Sequence, residues 1–196
     1  MQLFSEGAEA KIYSHQILGK KLLFKVREPK SYRIQNLDQK IRKSRTKREA
    51  KIMVKATAAG IMVPKLVAVS KFTICMEMIN GKLMKDAKIT ARTLSKSGSL
   101  LAKLHNINIV HGDFTPANIM LCGNDVFAID FGLSEVTISL EEKAMDLLLM
   151  KRAISSAQFS KFLSGYASEA KARLTLLKLK EIEKRGRYKI RTLTTS

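Results

Sequence analysis

The sequence predicts an α+β protein of two lobes, a β-rich N-terminal lobe followed by a short helical one. Three observations lead there. Strand-like composition, broken by one helical stretch, fills the first 79 residues. Helical periodicity dominates from about residue 140 onward. Between them lie short apolar runs, each followed by polar residues of a kind that line a cleft.

The 196 residues suffice for one good core or two small ones, and a 45% apolar content predicts that the chain folds. No apolar run approaches the roughly 20 residues needed to cross a bilayer. Glu6 and Glu9 near the N-terminus do not fit the basic-then-apolar order of a signal peptide. These features predict a soluble, cytoplasmic protein with no membrane partner. Cys75 and Cys122 each sit in an apolar stretch and read as buried, reduced thiols. The formal net charge of +19 predicts attraction to a polyanion.

In chain order, residues 12–13 and 22–26 have strand composition, with Gly19-Lys20 as the turn. A loop opened by Pro29 leads to a helix expected over 38–59, in which Ile52, Met53 and Ala56 share one face. Gly60 and Pro64 end it. Two strands follow at 66–69 and 72–77, and Asn80-Gly81 marks the hinge. The expected lobes are therefore 1–79 and 80–184, with a basic tail over 185–196. In the second lobe a helix is expected over 90–107. Short strands are expected at 109–110, 119–121 and 126–129, and helices over 140–155 and 157–184.

The chemistry concentrates in two places. His111-Gly112-Asp113-Phe114-Thr115-Pro116-Ala117-Asn118 lies between two short strands, and Asp130-Phe131-Gly132 ends a later one. Phosphoryl transfer consists mainly of positioning and charge neutralisation. Magnesium takes hard oxygen ligands, often only one or two from the protein. Asn118 and Asp130 can supply those, which leaves Asp113 to orient the attacking group and accept its proton. His111 reads as a structural histidine that holds the loop.

Upstream, Lys25 sits inside an apolar strand and Glu49 on the inward face of the following helix. Each charge would be costly alone, so the two are expected to pair and aim Lys25 at phosphate. The loop expected to cover the phosphates, Ser5-Glu6-Gly7-Ala8-Glu9-Ala10, has a single glycine, and its small Ala8 and Ala10 permit close approach.

Together these residues resemble the small atypical protein kinases of the KEOPS complex, relatives of the RIO-type kinases. The resemblance covers nearly the whole chain. It rests on Gly7-Ala8-Glu9-Ala10, Lys25, Arg48-Glu49-Ala50, the His111–Asn118 stretch, Asp130-Phe131-Gly132 and the basic C-terminus. It implies a minimal bilobal protein-kinase-like fold that uses ATP and Mg2+, as an ATPase and as a serine/threonine kinase that autophosphorylates. It further implies a role in making threonylcarbamoyladenosine in transfer RNA, with a threonylcarbamoyl-transferase subunit and a small regulatory subunit as partners. By the same resemblance, Glu6, Gly7, Ala8, Glu9 and Ala10 cover the nucleotide and Lys25 binds its α- and β-phosphates. The backbones of Glu77 and Ile79 receive adenine, and Arg185, Arg187 and Lys189 contact transfer RNA.

The basic run Lys40, Arg42, Lys43, Arg45, Lys47 and Arg48 lacks acidic residues at the spacing of a salt-bridge lattice, which points to a face for the phosphate backbone. Arg42, Lys43 and Arg45 are its candidate contacts. A second basic surface is expected over 171–191, with Leu174, Leu177 and Leu179 packing part of it on the core. Gly112 replaces the arginine that many kinases carry before the catalytic aspartate, and no Ala-Pro-Glu motif is present. The first departure argues against control by activation-loop phosphorylation. The second, with Thr115 standing where protein kinases often have a lysine near the transferred phosphate, favours ATP hydrolysis over phosphorylation of diverse proteins.

Two other functions use similar parts. A small-molecule phosphotransferase also carries a His-Gly-Asp pattern, but few residues follow Gly132 here to enclose such a substrate. A non-catalytic RNA-binding scaffold would be expected to have lost at least one of Lys25, Glu49, Asp113, Asn118 and Asp130.

Overall fold

Two-residue alternation in the N-terminal segments and 3.6-residue periodicity beyond them produce an antiparallel N-terminal sheet and a mainly helical C-terminal part, with residues 78–81 running between β-strands of the two. The computed structural model describes residues 1–7 and 9–193, with side chains as far as residue 185. Strands β1 (Gln2–Glu6), β2 (Lys11–Ile17), β3 (Lys20–Val26), β4 (Leu66–Val69) and β5 (Thr73–Glu77) form one antiparallel sheet in the order β1-β2-β3-β5-β4. The period of two sends Leu23 and Lys25 of β3 to the same face, and Arg27 follows just beyond the strand's end.

Helix α1 (Gln35–Ala58) lies between β3 and β4 in the chain. Asp38, Arg42, Thr46, Glu49, Met53 and Ala56 recur every three or four residues and form its buried stripe. The apolar end of that stripe joins Ile52, Ile74 and Met76 in the core. Its polar end meets the cationic side chains of β3.

The second lobe begins with β6 (Lys82–Leu83) and α2 (Ala91–Asn106), whose start is fixed by a reciprocal Thr90–Thr93 capping box. The strands β7 (Ile109–Val110), β8 (Ile119–Cys122), β9 (Asp125–Ala128) and β10 (Glu135–Val136) follow. They make two small sheets, β6-β8-β9 and β7-β10. The two-residue strands β6 and β10 are too short to leave a periodic signal.

Helices α3 (Leu140–Ala153), α4 (Ser156–Ala167) and α5 (Ala172–Leu193) complete the lobe. The single helix expected over 157–184 is therefore two. The Ser168 hydroxyl donates to the Gly165 carbonyl at 2.7 Å, and Lys171 adopts a left-handed φ of 66°, which breaks the helical path. Glu169 in that break accepts a 2.6 Å hydrogen bond from Ser99, tying it to α2. On α5, Ala172, Thr175 and Leu179 form the buried stripe, while Leu174 and Leu177 are exposed, contrary to the expected core role of those two leucines. The helix also continues past residue 184 to Leu193, across the expected start of the tail.

Helices α2 and α4 approach closely through glycines. A Cβ on Gly98 would lie 2.0 Å from the Phe162 carbonyl oxygen, and one on Gly165 would lie 1.8 Å from that of Ser95. This contact seats the helix that carries His105 beneath the loop after β7.

Candidate active site

The sheet, α1 and the loops after β7 and β9 bring all five predicted charged and polar groups to one cleft. Lys25 Nζ donates to Glu49 Oε1 and to Asp130 Oδ1, both at 2.7 Å. Asn118 Nδ2 donates to the Asp113 backbone carbonyl at 2.9 Å and to its carboxylate Oδ2 at 2.7 Å. A cavity of about 330 Å³ is lined by Gly7, Glu9, Ala10, Lys25, Asp113 and Asp130. A second, about 410 Å³, continues toward the hinge between apolar walls such as Leu23, Met53, Met76 and Met120. Glu77 and Ile79 line that end.

Glu6 is placed elsewhere. Its carboxylate lies 3.5 Å from Lys11 Nζ, and it lines neither cavity. Ala8 lies outside the described residues. The Gly7 N–H donates to the Ala10 carbonyl at 3.0 Å, and both residues line the first cavity. Glu9 is ion-paired with Arg45, which ties the loop to α1. That guanidinium, against the opposing pull of partial burial, holds the Glu9 carboxyl below the usual range.

Burial pushes the Asp130 pKa up, but the Lys25 ammonium and the Gly132 N–H, 3.1 Å from Oδ1, outweigh it and hold the carboxyl below its ordinary value. Asp130 has a φ of 61°, a conformation that costs a non-glycine residue energy and is here fixed by those two donors. The preceding Ile129 carbonyl lies 3.1 Å from His111 Nε2. The Asp113 N–H donates to His111 Nδ1 at 3.3 Å, so Nε2 carries the ring hydrogen. Burial pushes the His111 pKa down, which keeps the ring neutral. The ring thus links the loop after β7 to the residue that follows β9, the structural task expected of it.

Gly112 has a φ of 81°, and a Cβ there would lie 2.6 Å from the Leu133 carbonyl oxygen. The position therefore has no room for the arginine found in many kinases. Only residues 133–139, which include the two-residue strand β10, separate Gly132 from α3.

Three contributors escaped the sequence reading. Asp146 of α3 accepts from the backbone N–H groups of His111 at 2.7 Å and Gly112 at 2.8 Å, anchoring the loop from below. Its spacing with Leu147 and Met150 put a carboxylate on a buried helix stripe, a legible signal. Arg48 donates to the Gly132 carbonyl at 3.3 Å. Arg27 donates from Nη2 to Glu49 Oε2 at 2.6 Å, so each oxygen of Glu49 holds one cation. Its position two residues after Lys25, on the same face, was the available sign. Arg27 Nε and Nη1 are buried and have no partner among the described residues. Such a donor costs about 1–3 kcal/mol when left unpaired.

The expected RNA contacts divide. Arg42 is buried, bonded to Asp38 at 2.6 Å and stacked 3.9 Å over the Phe72 ring, so it is a core residue and not a contact. Asp38, just ahead of the basic run, makes an i, i+4 salt bridge with Arg42, a pairing the run was expected to lack. Arg45 is held by Glu9, while Lys43 is exposed. Arg185 is exposed, 3.5 Å from Glu141 and 3.7 Å from Glu181. The side chains of Arg187 and Lys189 lie outside the described residues. Among the described residues no helix is long and apolar enough to cross a membrane.

A RIO domain family model matches residues 9–170. The KEOPS complex subunit Bud32 of Pyrococcus abyssi is 37% identical, with all of each chain covered. A probable bifunctional tRNA threonylcarbamoyladenosine biosynthesis protein of Methanobrevibacter smithii is 41% identical over 95% of this chain. The match spans 36% of that longer protein's length. Among solved structures, the Rio2 kinase of Chaetomium thermophilum, in a complex with ADP/Mg2+ and phosphoaspartate, superposes with a TM-score of 0.65 at 16% identity. It covers 96% of this chain and 72% of its own, a likeness of fold.

Proposed function

Because this chain belongs to the RIO-domain family, with KEOPS complex subunits among its relatives, we propose that it is a magnesium- and ATP-dependent atypical serine/threonine kinase and ATPase. We infer that it supports threonylcarbamoyladenosine modification of transfer RNA as one subunit of a KEOPS-type complex. Its partners there are the threonylcarbamoyl-transferase subunit, a small regulatory subunit and transfer RNA. The observation that carries the reading is the meeting of Lys25, Glu49, Asp113, Asn118 and Asp130 around one cleft.

The donor set fits magnesium. Asn118 spends its Nδ2 on Asp113, which leaves Oδ1 as its acceptor, and Asp130 has Oδ2 to offer beside the Oδ1 held by Lys25. Among the described residues no cluster of three or more His, Cys, Asp or Glu could cage a metal. Two hard oxygens suit an ion that fills its remaining positions with water and phosphate oxygen. When bound there, magnesium supplies positive charge to the phosphates. The protein side does the rest by placement. Lys25 spends two of its three N–H donors on Glu49 and Asp130, and the third is left for a phosphate oxygen. Asp113 holds one oxygen against Asn118 and keeps Oδ1 to orient an attacking hydroxyl or water and take its proton. The short 133–139 segment favours water or a residue of the complex as acceptor, since it offers no bed for a substrate peptide.

The test is reconstitution of transfer-RNA modification with the other subunits, read by mass spectrometry of the nucleosides. Modification should need both ATP and this chain, and Asp130→Asn should lower it sharply. Undiminished modification without the chain would sink the reading.

A further inference from the structure

Helix α1 has a second face that the cleft does not use. Lys43, Lys47, Lys51 and Lys55 recur every fourth residue there, and all four are exposed. Like charges at that spacing face one another along a helix and destabilise it. Among the described residues none of the four ammonium groups has an ion-pair or hydrogen-bond partner. The two acids of the helix are buried and already spent, Asp38 on Arg33 and Arg42, Glu49 on Lys25 and Arg27. A row of four unanswered cations thus runs about 18 Å along α1.

The row borders an apolar floor. Ala50 and Val54 of α1 and Leu66 and Val69 of β4 line one groove of about 470 Å³. Val54 is 53% exposed and Val69 51%. Strand β4 is at the edge of the five-stranded sheet, paired with β5 alone, so no further strand covers that wall. Lys71, in the turn before β5, adds a fifth cation to the rim. None of these residues lines either cavity of the nucleotide cleft.

We propose that this groove is the docking site for an acidic amphipathic helix of a partner protein, whose aliphatic side chains cover the floor and whose carboxylates meet the lysine row. Charge complementarity gives the sign of the occupant. The floor gives its class. A phosphate backbone needs no aliphatic bed, and the groove lining has no aromatic ring on which a base could stack. A helix laid in a groove offers an aliphatic anchor and a flanking carboxylate at each turn, which matches a lysine at each turn of α1. A second copy of this chain is opposed by its own net charge of +19. The inference goes beyond the magnesium–ATP reading of the cleft and stands without it.

The experiment uses the full chain and a fluorescent synthetic helix of about 14 residues, long enough to span the lysine row, with leucines on one face and glutamates flanking them. Polyglutamate of equal charge and transfer RNA are the comparison probes. By fluorescence anisotropy, the helix should bind at least about tenfold more tightly than polyglutamate, because only the helix covers the floor. Lys47→Glu with Lys51→Glu should weaken the helix about tenfold or more, and Val54→Ser about threefold to tenfold. All three positions are exposed, so these changes leave the core intact. Lys161→Glu, on the exposed face of α4, should change nothing. In the wild-type protein the methyl resonances of Val54 and Val69 should shift on addition of the helix. Equal binding of helix and polyglutamate would overturn the proposal, as would a loss in Lys161→Glu as large as in the double variant, since either means bulk charge attraction. Static Val54 and Val69 methyls would overturn it too. Transfer RNA that is weakened by the double charge reversal, with helix binding indifferent to it, would make the row a nucleic-acid face instead.

Discussion

Glu49 and Arg27 are joined by a 2.6 Å hydrogen bond, Nη2 to Oε2, on the side of the carboxylate away from Lys25. Helix α1 is thus fastened to β3 by two cations on one anion. Lys25 can turn to a phosphate without releasing the helix, because Arg27 keeps its hold. Position of α1 and availability of Lys25 are thereby separated.

Removing the shared anion should be worse than removing either cation. Glu49→Ala leaves Lys25 and Arg27 both buried without their common partner, and a loss of about 3–5 kcal/mol is expected. Lys25→Met should lose clearly less, because the Arg27–Glu49 bond persists. Urea denaturation of the two variants checks this, and equal losses would show that Arg27 does not hold the helix.

Stability should fall in mild acid. Burial pushes His105 and His111 below their ordinary value of 6.5, although Asp146 pulls the other way in both. Unfolded chains bind those protons near pH 6.5 while the folded protein refuses them. Their contribution is therefore complete above pH 6.5 and is lost as pH falls below it toward the folded values. Asp130, held below 3.8, adds a second loss as pH falls below 3.8. Denaturation midpoints at pH 7.5, 6 and 5 should decline in that order, and a flat series would mean that the two rings take up protons in the fold as readily as in the unfolded chain.

The α2–α4 contact should tolerate no side chain. Gly165→Ala puts a methyl 1.8 Å from the Ser95 carbonyl oxygen, and because that obstacle is backbone, the helices must part. A destabilisation of about 1–3 kcal/mol is expected, read as a lowered thermal midpoint. An unchanged midpoint would show that α4 can slide freely on α2.

Much of this was legible in the residues. The Lys25–Glu49 pair followed from two charges on inward faces, each needing the other. Asp113, Asn118 and Asp130 followed from their place at strand ends, because a strand end delivers a side chain to a cleft. What stayed hidden depended on partners distant in the chain. Arg42 read as a solvated cation because neither its Phe72 stacking nor its bond to the Arg27 carbonyl leaves a local trace. The break between α4 and α5 rests on a Ser168 side-chain bond and the left-handed Lys171, in a stretch with no glycine or proline to mark it. Leu174 and Leu177 were placed inward by counting leucines, whereas the stripe that faces the core is phased on Thr175 and Leu179.

The most direct test of the central claim is magnesium-dependent ATP turnover by wild type and Asp113→Asn, with and without transfer RNA and the transferase subunit. If Asp113 takes the proton of the attacking group, turnover should fall about a hundredfold to ten-thousandfold in the variant, with nucleotide affinity retained. Full turnover in Asp113→Asn would contradict the assignment of this cleft as a phosphoryl-transfer site built on that carboxylate.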